Sequence, residues 1–292
     1  MRIITRPDFD GVVCAALLYE ALAIKKPVKW TQPTDIQNNS VKILKGDIIA
    51  NLPYHKNCSY WFDHHYSNQI KQPFDGMFKI APSAAGIIFE YYENRFKQDF
   101  RELIRQTDKI DSADLSHDEI IHPENYPFIL LSMTISGYIQ SDEAYWNRLT
   151  DMLRFQNINE ILGDPEIRSR CQKVVLENKE YEKHLLKHTR VKNKVAITDF
   201  CELNPVPDGN RFLVYALFPD AVVHIKTFNN EGKMVVKVGH SIINPNCNVN
   251  VGKMLNSFEG GGHKGAGACR FDPAKSKEYI PKILEILFQN KA

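Results

Sequence analysis

The sequence predicts an α/β fold in two parts, a parallel-sheet N-terminal domain and a smaller α/β C-terminal domain. In the first half, short β-type runs alternate with helical ones, a pattern typical of parallel sheets covered by helices. Residues 166–190 are charged, periodic and free of glycine, as in a long exposed helix, and β-type runs return after 191. The 292 residues, 43% of them hydrophobic, provide enough apolar surface for two cores.

The elements of the first domain follow in order, and the domain is predicted over 1–190 with the helical connector at its end. The predicted elements are a strand at 3–5, a helix at 11–23, one or two strands within 41–49, a strand at 59–62 and a helix at 83–95 with Ser83 as its N-cap. No strand pattern appears from 126 to about 190. The connector therefore separates two sheets.

The second domain is predicted over 191–292. Its predicted strands are 195–198, 212–218, 221–228 and 233–238, and a closing helix covers 276–288.

Composition excludes some classes of protein. Lys and Arg total 37 against 35 Asp and Glu, so the chain lacks the basic excess of a protein held on nucleic acid mainly by charge. An anionic substrate must then be held by a local group of residues.

The cellular location is also predicted from composition. The sequence shows no apolar run that resembles a secretion signal and none near the roughly 20 residues that span a bilayer, so we expect a cytoplasmic protein with no membrane partner. Six cysteines lie far apart with no CxxC pair, which argues against a zinc site and against a disulfide framework.

Two aspartates, Asp8 and Asp10, follow the first predicted strand, at the edge where open α/β sheets bind ligands. If strand geometry continues through Phe9, both carboxylates point to one side. Oxygen pairs of this kind suit Mg²⁺ or Mn²⁺. For Asp10 alone, capping of the following helix is the more frequent role, so this pair carries weight only together with others.

Two further polar groups lie near ends of predicted strands. Asp47 lies at the end of or inside an apolar run, where a lone carboxylate is costly unless paired, although a turn after Gly46 is an equal alternative. Asp63, His64 and His65 directly follow the strand at 59–62. We interpret them as ligands rather than surface residues, because a ligating imidazole needs a carboxylate to orient it. One sheet edge could present all three groups to one cleft.

A glycine-rich segment near the C-terminus forms a fourth candidate. Glycines 260–262 expose backbone N–H groups that can approach an anion closely, and His263 and Lys264 add donors and positive charge. This composition predicts a phosphate clamp. The alternative is a flexible glycine loop between two elements.

Together these segments resemble the DHH phosphoesterase superfamily, which includes RecJ-type exonucleases, family II inorganic pyrophosphatases, and oligonucleotide and cyclic-dinucleotide phosphodiesterases. The name-giving triplet is Asp63-His64-His65, and the segment 6–11 is similar to the first motif. The strand ending in Asp47, the helix end with Asp108 and Asp111, and the segment 260–268 are similar to further motifs. The combination is closest to the exopolyphosphatase-related branch.

The resemblance implies a parallel-sheet catalytic domain, a linking helix and a smaller substrate-binding domain. It implies a centre of two ions, Mn²⁺ or Mg²⁺, held by acidic and histidine side chains: Asp8, Asp10, Asp47, His64, and Asp108 or Asp111. Asp8 would ligate one ion and Asp10 the other, with bridging by Asp47 and the fourth-motif aspartate. His65 would be catalytic and face the substrate phosphate, with Asp63 as its partner. Spacing does not decide between Asp108 and Asp111.

The sequence departs from the family pattern at two positions. Arg6 stands where relatives commonly carry a histidine or aspartate ligand, and a guanidinium cannot coordinate a metal, so the first ion would be weaker or absent. Arg6 would instead contact a substrate phosphate or pair with Asp8. His240 stands where many relatives have an arginine for the phosphate. The expected substrate-binding residues are Arg6, His240, Gly261, Gly262, His263 and Lys264.

These observations predict a metal-dependent phosphoesterase that uses metal-activated water on a short oligonucleotide, a dinucleotide or a nucleotide phosphomonoester. The expected partner is such a small phosphate-containing substrate, including short single-stranded oligonucleotides. The sequence does not decide whether the chain forms a homodimer. Two alternatives remain. One is an exopolyphosphatase or pyrophosphatase, and the other is a nucleotide-binding regulatory module whose metal site Arg6 has impaired.

Overall fold

A five-stranded parallel sheet forms the centre of the N-terminal part of the computed structural model, which describes residues 1–135 and 142–291. The elements up to residue 114 are β1 (Arg2–Thr5), α1 (Phe9–Leu22), β2 (Lys29–Trp30), α2 (Pro33–Gln37), β3 (Asp47–Ala50), β4 (Tyr60–Asp63), β5 (Gly76–Phe78), α3 (Ala84–Tyr91) and α4 (Arg101–Asp111). Helices follow: α5 (His117–Ile121), α6 (Pro127–Met133), α7 (Glu143–Phe155), α8 (Ile158–Gly163) and α9 (Pro165–His188). This confirms the predicted α/β class.

The strand order of this sheet is β2-β1-β3-β4-β5, and each neighbouring pair is parallel. All carboxyl ends therefore lie at one edge. The central strands are short and apolar, with Ile3, Ile4, Ile48 and Ile49 fully buried, as expected for a sheet covered on both faces. The loops after β1, β3 and β4 begin at this edge, where ligands of open α/β sheets bind.

Two helix starts at this edge are determined by local sequence. Asp8 caps α1, and its carboxylate accepts a hydrogen bond from the backbone N–H of Gly11 at 2.8 Å. A Cβ at Gly11 would lie 1.9 Å from the carbonyl oxygen of Arg6, so only glycine fits there. Ser83 caps α3 as predicted, accepting from the N–H of Gly86. Both helix N-termini are thereby placed beside the ends of the strands.

The C-terminal part contains a six-stranded mixed sheet. Its elements are β6 (Thr189–Lys192), β7 (Val195–Asp199), α10 (Leu213–Leu217), β8 (Val223–Asn230), β9 (Lys233–His240), α11 (Val251–Asn256), β10 (Gly260–Gly262), β11 (Ala266–Phe271) and α12 (Ser276–Gln289). The strand order is β10-β11-β9-β8-β7-β6, with β7 and β8 parallel and the other pairs antiparallel. α12 packs on the sheet through Ile283 and Leu287.

Most predicted elements are confirmed, and two predictions are wrong. The segment 212–218 is helix α10 instead of a strand, because a short, continuous apolar run fits either structure and here four successive residues, Leu213 to Ala216, are buried. Within 41–49 only the last residues are a strand, since β3 begins at Asp47. The glycines 260–262 form an edge strand paired with β11. The part of the strand-free prediction that falls on 136–141 lies outside the described residues.

The chain divides into two compact units. The first contains Met1–Asp114 and Glu124–Gln172, and the second contains Leu115–Pro123 and Lys173–Ala292. The connector helix α9 contributes residues to both, so the domain boundary expected near 190 stays a prediction. Among the described residues, none of the helices combines the length and the apolar character needed to cross a membrane.

Candidate metal centre

Asp10 is a buried carboxylate in the first turn of α1, with 1% of its surface exposed. Its Oδ2 accepts a hydrogen bond from the N–H of Ala84 at 3.0 Å, and its Oδ1 accepts one from the N–H of Ala85 at 2.8 Å. These amides belong to the first turn of α3, where the helix dipole and the free N–H groups favour negative charge. Asp10 is therefore held between two helix N-termini.

His64 directly follows β4 and faces two carboxylates. Its Nδ1 lies 2.9 Å from the carbonyl oxygen of Ala81, which can only accept, so Nδ1 carries the proton. In the neutral ring, Nε2 then presents a lone pair, 3.3 Å from Oδ2 of Asp111 and 3.9 Å from Oδ2 of Asp10. Nε2 is buried and has no hydrogen-bond partner among the described residues. A lone pair that faces carboxylates needs a cation between them or a proton on the ring.

Asp111, the last residue of α4, completes this group, whereas Asp108 does not. The ligand atoms of Asp10, His64 and Asp111 all lie within 4.8 Å of one another. One turn earlier on the same helix, Asp108 accepts a hydrogen bond from Ser83 at 2.6 Å. Between the two candidates for the fourth motif, the structure brings Asp111 to the cluster.

Burial and mutual repulsion raise the pKa of both carboxyl groups. Burial is the main cause for Asp10, the charge of Asp8 adds to it, and the hydrogen bonds from α3 oppose it, which leaves a pKa of about 7. For Asp111, burial and the charges of Asp10 and Asp8 raise the pKa to about 8. Without a cation, these groups therefore favour a protonated form near neutral pH.

Asp63 and His65 form a separate hydrogen-bonded unit. Asp63 is fully buried, and its Oδ1 lies 2.7 Å from Nδ1 of His65, while its Oδ2 accepts from Asn68 at 2.6 Å. Burial alone would lower the pKa of His65, but the hydrogen bond and the charge of Asp63 raise it above its usual value. Asp63, His64 and His65 also lie close enough to hold an ion, but the oxygens of Asp63 are already used. His65 is therefore oriented as a cationic group.

Asp8 lies at the same edge but is already paired. Its Oδ1 accepts from Gly11 and from Nδ2 of Asn51 at 2.9 Å, and its Oδ2 lies 3.1 Å from Nε of Arg6. Asn51 follows β3 and is 1% exposed. Sequence reasoning missed Asn51, because attention fell on residues that can ionise. The signal that would have found it is its place directly after the buried strand.

Asp47 lies at the opposite edge of the sheet. It is the first residue of β3 and pairs in register with Arg2, the first residue of β1. Its carboxylate accepts from Arg2 at 3.2 and 2.7 Å and from the N–H of Leu44 at 2.8 Å. The predicted position at the end of a strand is therefore wrong. The buried charge is neutralised by arginine, and the structure does not bring Asp47 to the cluster.

The predicted phosphate-binding segment lies on the second unit. Gly261 and Gly262 belong to edge strand β10, and His263 and Lys264 are exposed in the turn that leads to β11. His240 ends β9, where its Nε2 lies 2.9 Å from the carbonyl oxygen of Val249. These residues surround one end of the second sheet, and their roles in substrate binding stay predictions.

The second unit also carries a cationic cavity of about 690 Å³ that sequence reasoning missed. Lys226 on β8 and Lys237 on β9 are opposed in register, and their Nζ atoms lie 5.9 and 5.6 Å from the ring centre of Phe228. The Lys226 side chain is only 12% exposed, and burial lowers its pKa. Gly261 and Arg270 line the same cavity. The lining also includes Glu259 and Asp208, whose carboxylate lies 3.8 Å from Nζ of Lys226. An aromatic ring beside a pair of lysines suits a nucleobase joined to phosphate.

The Asp10–His64–Asp111 cluster fits a divalent ion. It offers two carboxylates and a histidine with its free nitrogen turned inward, a donor set that suits Mn²⁺ or Mg²⁺. Each donor is held by a backbone group or by its place on a helix, as is usual for metal ligands. The fit rests on the unpartnered Nε2 of His64, which no group in the described part of the chain satisfies.

Comparison with solved structures supports this interpretation. The chain aligns over 100% of its length with 99% of the pGpG-specific phosphodiesterase PggH from Vibrio cholerae, at 29% identity and a TM-score of 0.86. This similarity supports membership of the DHH phosphoesterase superfamily. The DHH fold recurs in the Mn²⁺ complex of RecJ from Thermus thermophilus, which matches 99% of this chain and 52% of RecJ at 14% identity and a TM-score of 0.58.

A third DHH relative shows the fold alone. An exopolyphosphatase-related protein from Bacteroides fragilis aligns over 99% of this chain and 91% of its own, at 10% identity and a TM-score of 0.54. No protein-family model matched the sequence, and the search of curated proteins found no match either. The similarity of this chain to known proteins is therefore found in the solved structures.

The position of Asp47 leads to a first prediction. Asp47→Asn should lower the free energy of unfolding by about 1–3 kcal/mol, because it leaves the Arg2 guanidinium without its full carboxylate partner. Metal binding by the folded variant should not change. Urea unfolding and calorimetric titration with Mn²⁺ measure the two effects. Unchanged stability with loss of metal binding would contradict this assignment.

The raised pKa values of Asp10 and Asp111 lead to a second prediction. In the metal-free protein, the protonated carboxyl groups of Asp10 and Asp111 favour the folded state. This contribution to stability is lost as the pH rises from about 4, the value for the unfolded chain, to about 7 to 8. A metal binds the ionised carboxylates, so Mn²⁺ affinity should rise over the same window with release of protons. Calorimetry in buffers of different ionisation enthalpy measures both the Mn²⁺ affinity and the number of protons released. An affinity that is constant between about pH 6 and 8.5 would contradict it.

Proposed function

We propose that this DHH protein hydrolyses the phosphodiester bond of linear dinucleotides, with pGpG as the first substrate to test. The chain is a divalent-metal-dependent phosphoesterase that acts on small nucleotide substrates. The specific substrate is suggested by the alignment with a pGpG-specific enzyme over the whole chain. The single observation in the molecule that carries the proposal is the unpartnered Nε2 of His64, which faces the buried carboxylate of Asp10 and the half-buried one of Asp111 among the described residues.

Asp10, His64 and Asp111 would hold the ion, for which we propose Mn²⁺ because a histidine ligand moves the preference away from Mg²⁺. A divalent ion bound there supplies a Lewis acid that lowers the pKa of water and offsets charge on a phosphoryl oxygen. The hydrogen bond to Ala81 fixes the ring of His64. The N–H groups of α3 favour the ionised form of Asp10 and so oppose the effect of its burial.

His65 is the proposed catalytic partner in proton transfer. Asp63 binds Nδ1 and raises the pKa of the ring, so the ring retains its proton at a higher pH than a free histidine would. Nε2 is then the atom that can donate to a phosphoryl or leaving-group oxygen. Asp63 acts through His65 and does not itself contact the substrate.

The second unit offers groups that suit the substrate. Lys226 and Lys237 can neutralise phosphate oxygens, and Phe228 beside them can stack on a base. We propose this cavity, with the neighbouring Gly261 and the exposed His263, as the nucleotide-holding surface of that unit. Its two lysines and the aromatic ring are carried by the adjacent strands β8 and β9, whose pairing fixes their spacing.

Two other functions remain distinct candidates. A nucleotide-binding regulatory module is favoured by one observation, the Arg6–Asp8 ion pair, which removes one expected ligand. A phosphoanhydride hydrolase is the other. A panel of pGpG, other dinucleotides, pyrophosphate and polyphosphate with Mn²⁺ separates them, because the module would bind nucleotide without turnover and the anhydride hydrolase would release phosphate from polyphosphate.

Matched substitutions on α4 test the centre. Asp111→Asn should lower kcat on pGpG by about 100-fold or more, because it removes a ligand. Asp108→Asn, one turn away with the same chemical change, should retain activity within about tenfold. Initial rates at saturating Mn²⁺, with circular dichroism as a check on folding, give the comparison. Equal losses in both variants, or full activity in Asp111→Asn, would sink the assignment.

The cationic cavity gives a separate prediction. Lys237→Ala should raise KM for pGpG about tenfold, which corresponds to about 1.4 kcal/mol, with little change in kcat. Lys233→Ala, on the same strand but outside the cavity lining, is the control and should leave KM unchanged. Steady-state kinetics on both variants decide. A KM that stays at the value of the unaltered protein would remove the cavity from the substrate site.

A further inference from the structure

We propose that the centre of this chain binds one divalent ion, at Asp10, His64 and Asp111, and that the Arg6–Asp8 ion pair stands where a second ion would bind. The sequence-based expectation is two ions, with Asp8 as a ligand of one. The proposal rests on the proposed function for the presence of an ion and goes beyond it by fixing the number.

The first step is that both carboxylate oxygens of Asp8 already have partners. Oδ1 accepts two hydrogen bonds, from the N–H of Gly11 at 2.8 Å and from Nδ2 of Asn51 at 2.9 Å. Oδ2 lies 3.1 Å from Nε of Arg6. The Gly11 bond also caps α1, so ligation through Oδ1 would cost the helix its cap. Asp8 thus serves as a cap and an ion-pair partner.

The second step concerns Arg6, which already supplies a permanent positive charge at Asp8. A guanidinium keeps its proton at any physiological pH and has no lone pair for a metal. A divalent ion at Asp8 would have to displace Arg6 or lie beside its charge. In this respect the residues present do not fit a second ion.

The third step concerns Asn51, which is buried, directly follows β3 and has a φ of +55°. Its amide donates to Asp8, which a carboxylate at this position could not do without a proton. The remaining atom, Oδ1, is buried and without a hydrogen-bond partner in the described part of the chain. Asn51 therefore adds a neutral oxygen to this edge and no negative charge.

The charges agree with a single ion. Asp10 and Asp111 together carry two negative charges when ionised, which one divalent ion neutralises. Asp8 is neutralised by Arg6, Asp47 is paired with Arg2 at the opposite edge, and the carboxylate oxygens of Asp63 are hydrogen-bonded to His65 and Asn68. A second divalent ion would leave the centre with an excess of positive charge and no free carboxylate among these residues.

Counting bound Mn²⁺ tests this inference on the full chain. Metal-free protein is dialysed to equilibrium against Mn²⁺, bound metal is measured by elemental analysis, and electron paramagnetic resonance reports whether neighbouring ions are coupled. We expect one bound ion per chain with an uncoupled spectrum. The double variant Arg6→His with Asn51→Asp, which adds an imidazole and a carboxylate at Asp8, should bind a second ion and show coupling.

Arg2→Ala is the matched control, since it removes the arginine of the other Arg–Asp pair, at the opposite edge of the same sheet. It should leave the count at one. Two ions of similar affinity with a coupled spectrum in the unaltered chain would overturn the inference, while turnover of pGpG would leave the proposed function intact. No bound ion and no turnover would overturn both. The count on the unaltered chain decides even where the double variant fails to fold.

Discussion

The burial of one carboxylate, that of Asp10, is the constraint around which the first unit is organised. Burial and the charge of Asp8 favour its protonated form, whereas two N–H groups at the start of α3 favour its ionised form. These bonds join the start of α1 to the start of α3. His64 approaches from the end of β4 with its lone pair turned inward. A cation bound between these groups would reconcile the opposing influences.

Much of this arrangement could be predicted from the order of strand ends along the chain. Asp10 and His64 follow buried strands, and parallel strands place their carboxyl ends together. Asp47 was misplaced because an apolar run does not reveal where its strand begins: with the strand at 47–50, the residue at the functional edge is Asn51. A side chain that cannot ionise draws no attention in a search for ligands. The choice of Asp111 over Asp108 needed the orientation of α4, which sequence does not provide.

The second unit shows a different limit of sequence reasoning. By composition, the apolar segment 212–218 could form a strand. In the structure it contains helix α10, in which four successive residues are buried. Lys226 and Lys237 are eleven positions apart and become neighbours only through the antiparallel register of β8 and β9. The register is set by the two-residue turn Glu231–Gly232, with both residues at positive φ, whereas the predicted strands left a loop over 229–232 that does not define it. The cationic cavity therefore emerged only with the fold.

In a centre with one ion, the metal neutralises less of the negative charge of the phosphate than in a centre with two ions. The fixed cations Arg6 and His65 must then do part of what a second ion would do. Arg6 uses Nε for Asp8, and a guanidinium has further donors that can reach an anion. Asp63 raises the pKa of His65 against the effect of burial, and this shift favours the charged form of the ring. Protein cations have fixed positions and donate hydrogen bonds in set directions, so such a centre gains selectivity for the shape of its substrate. That suits an enzyme for a short, defined nucleotide better than one for a long polymer.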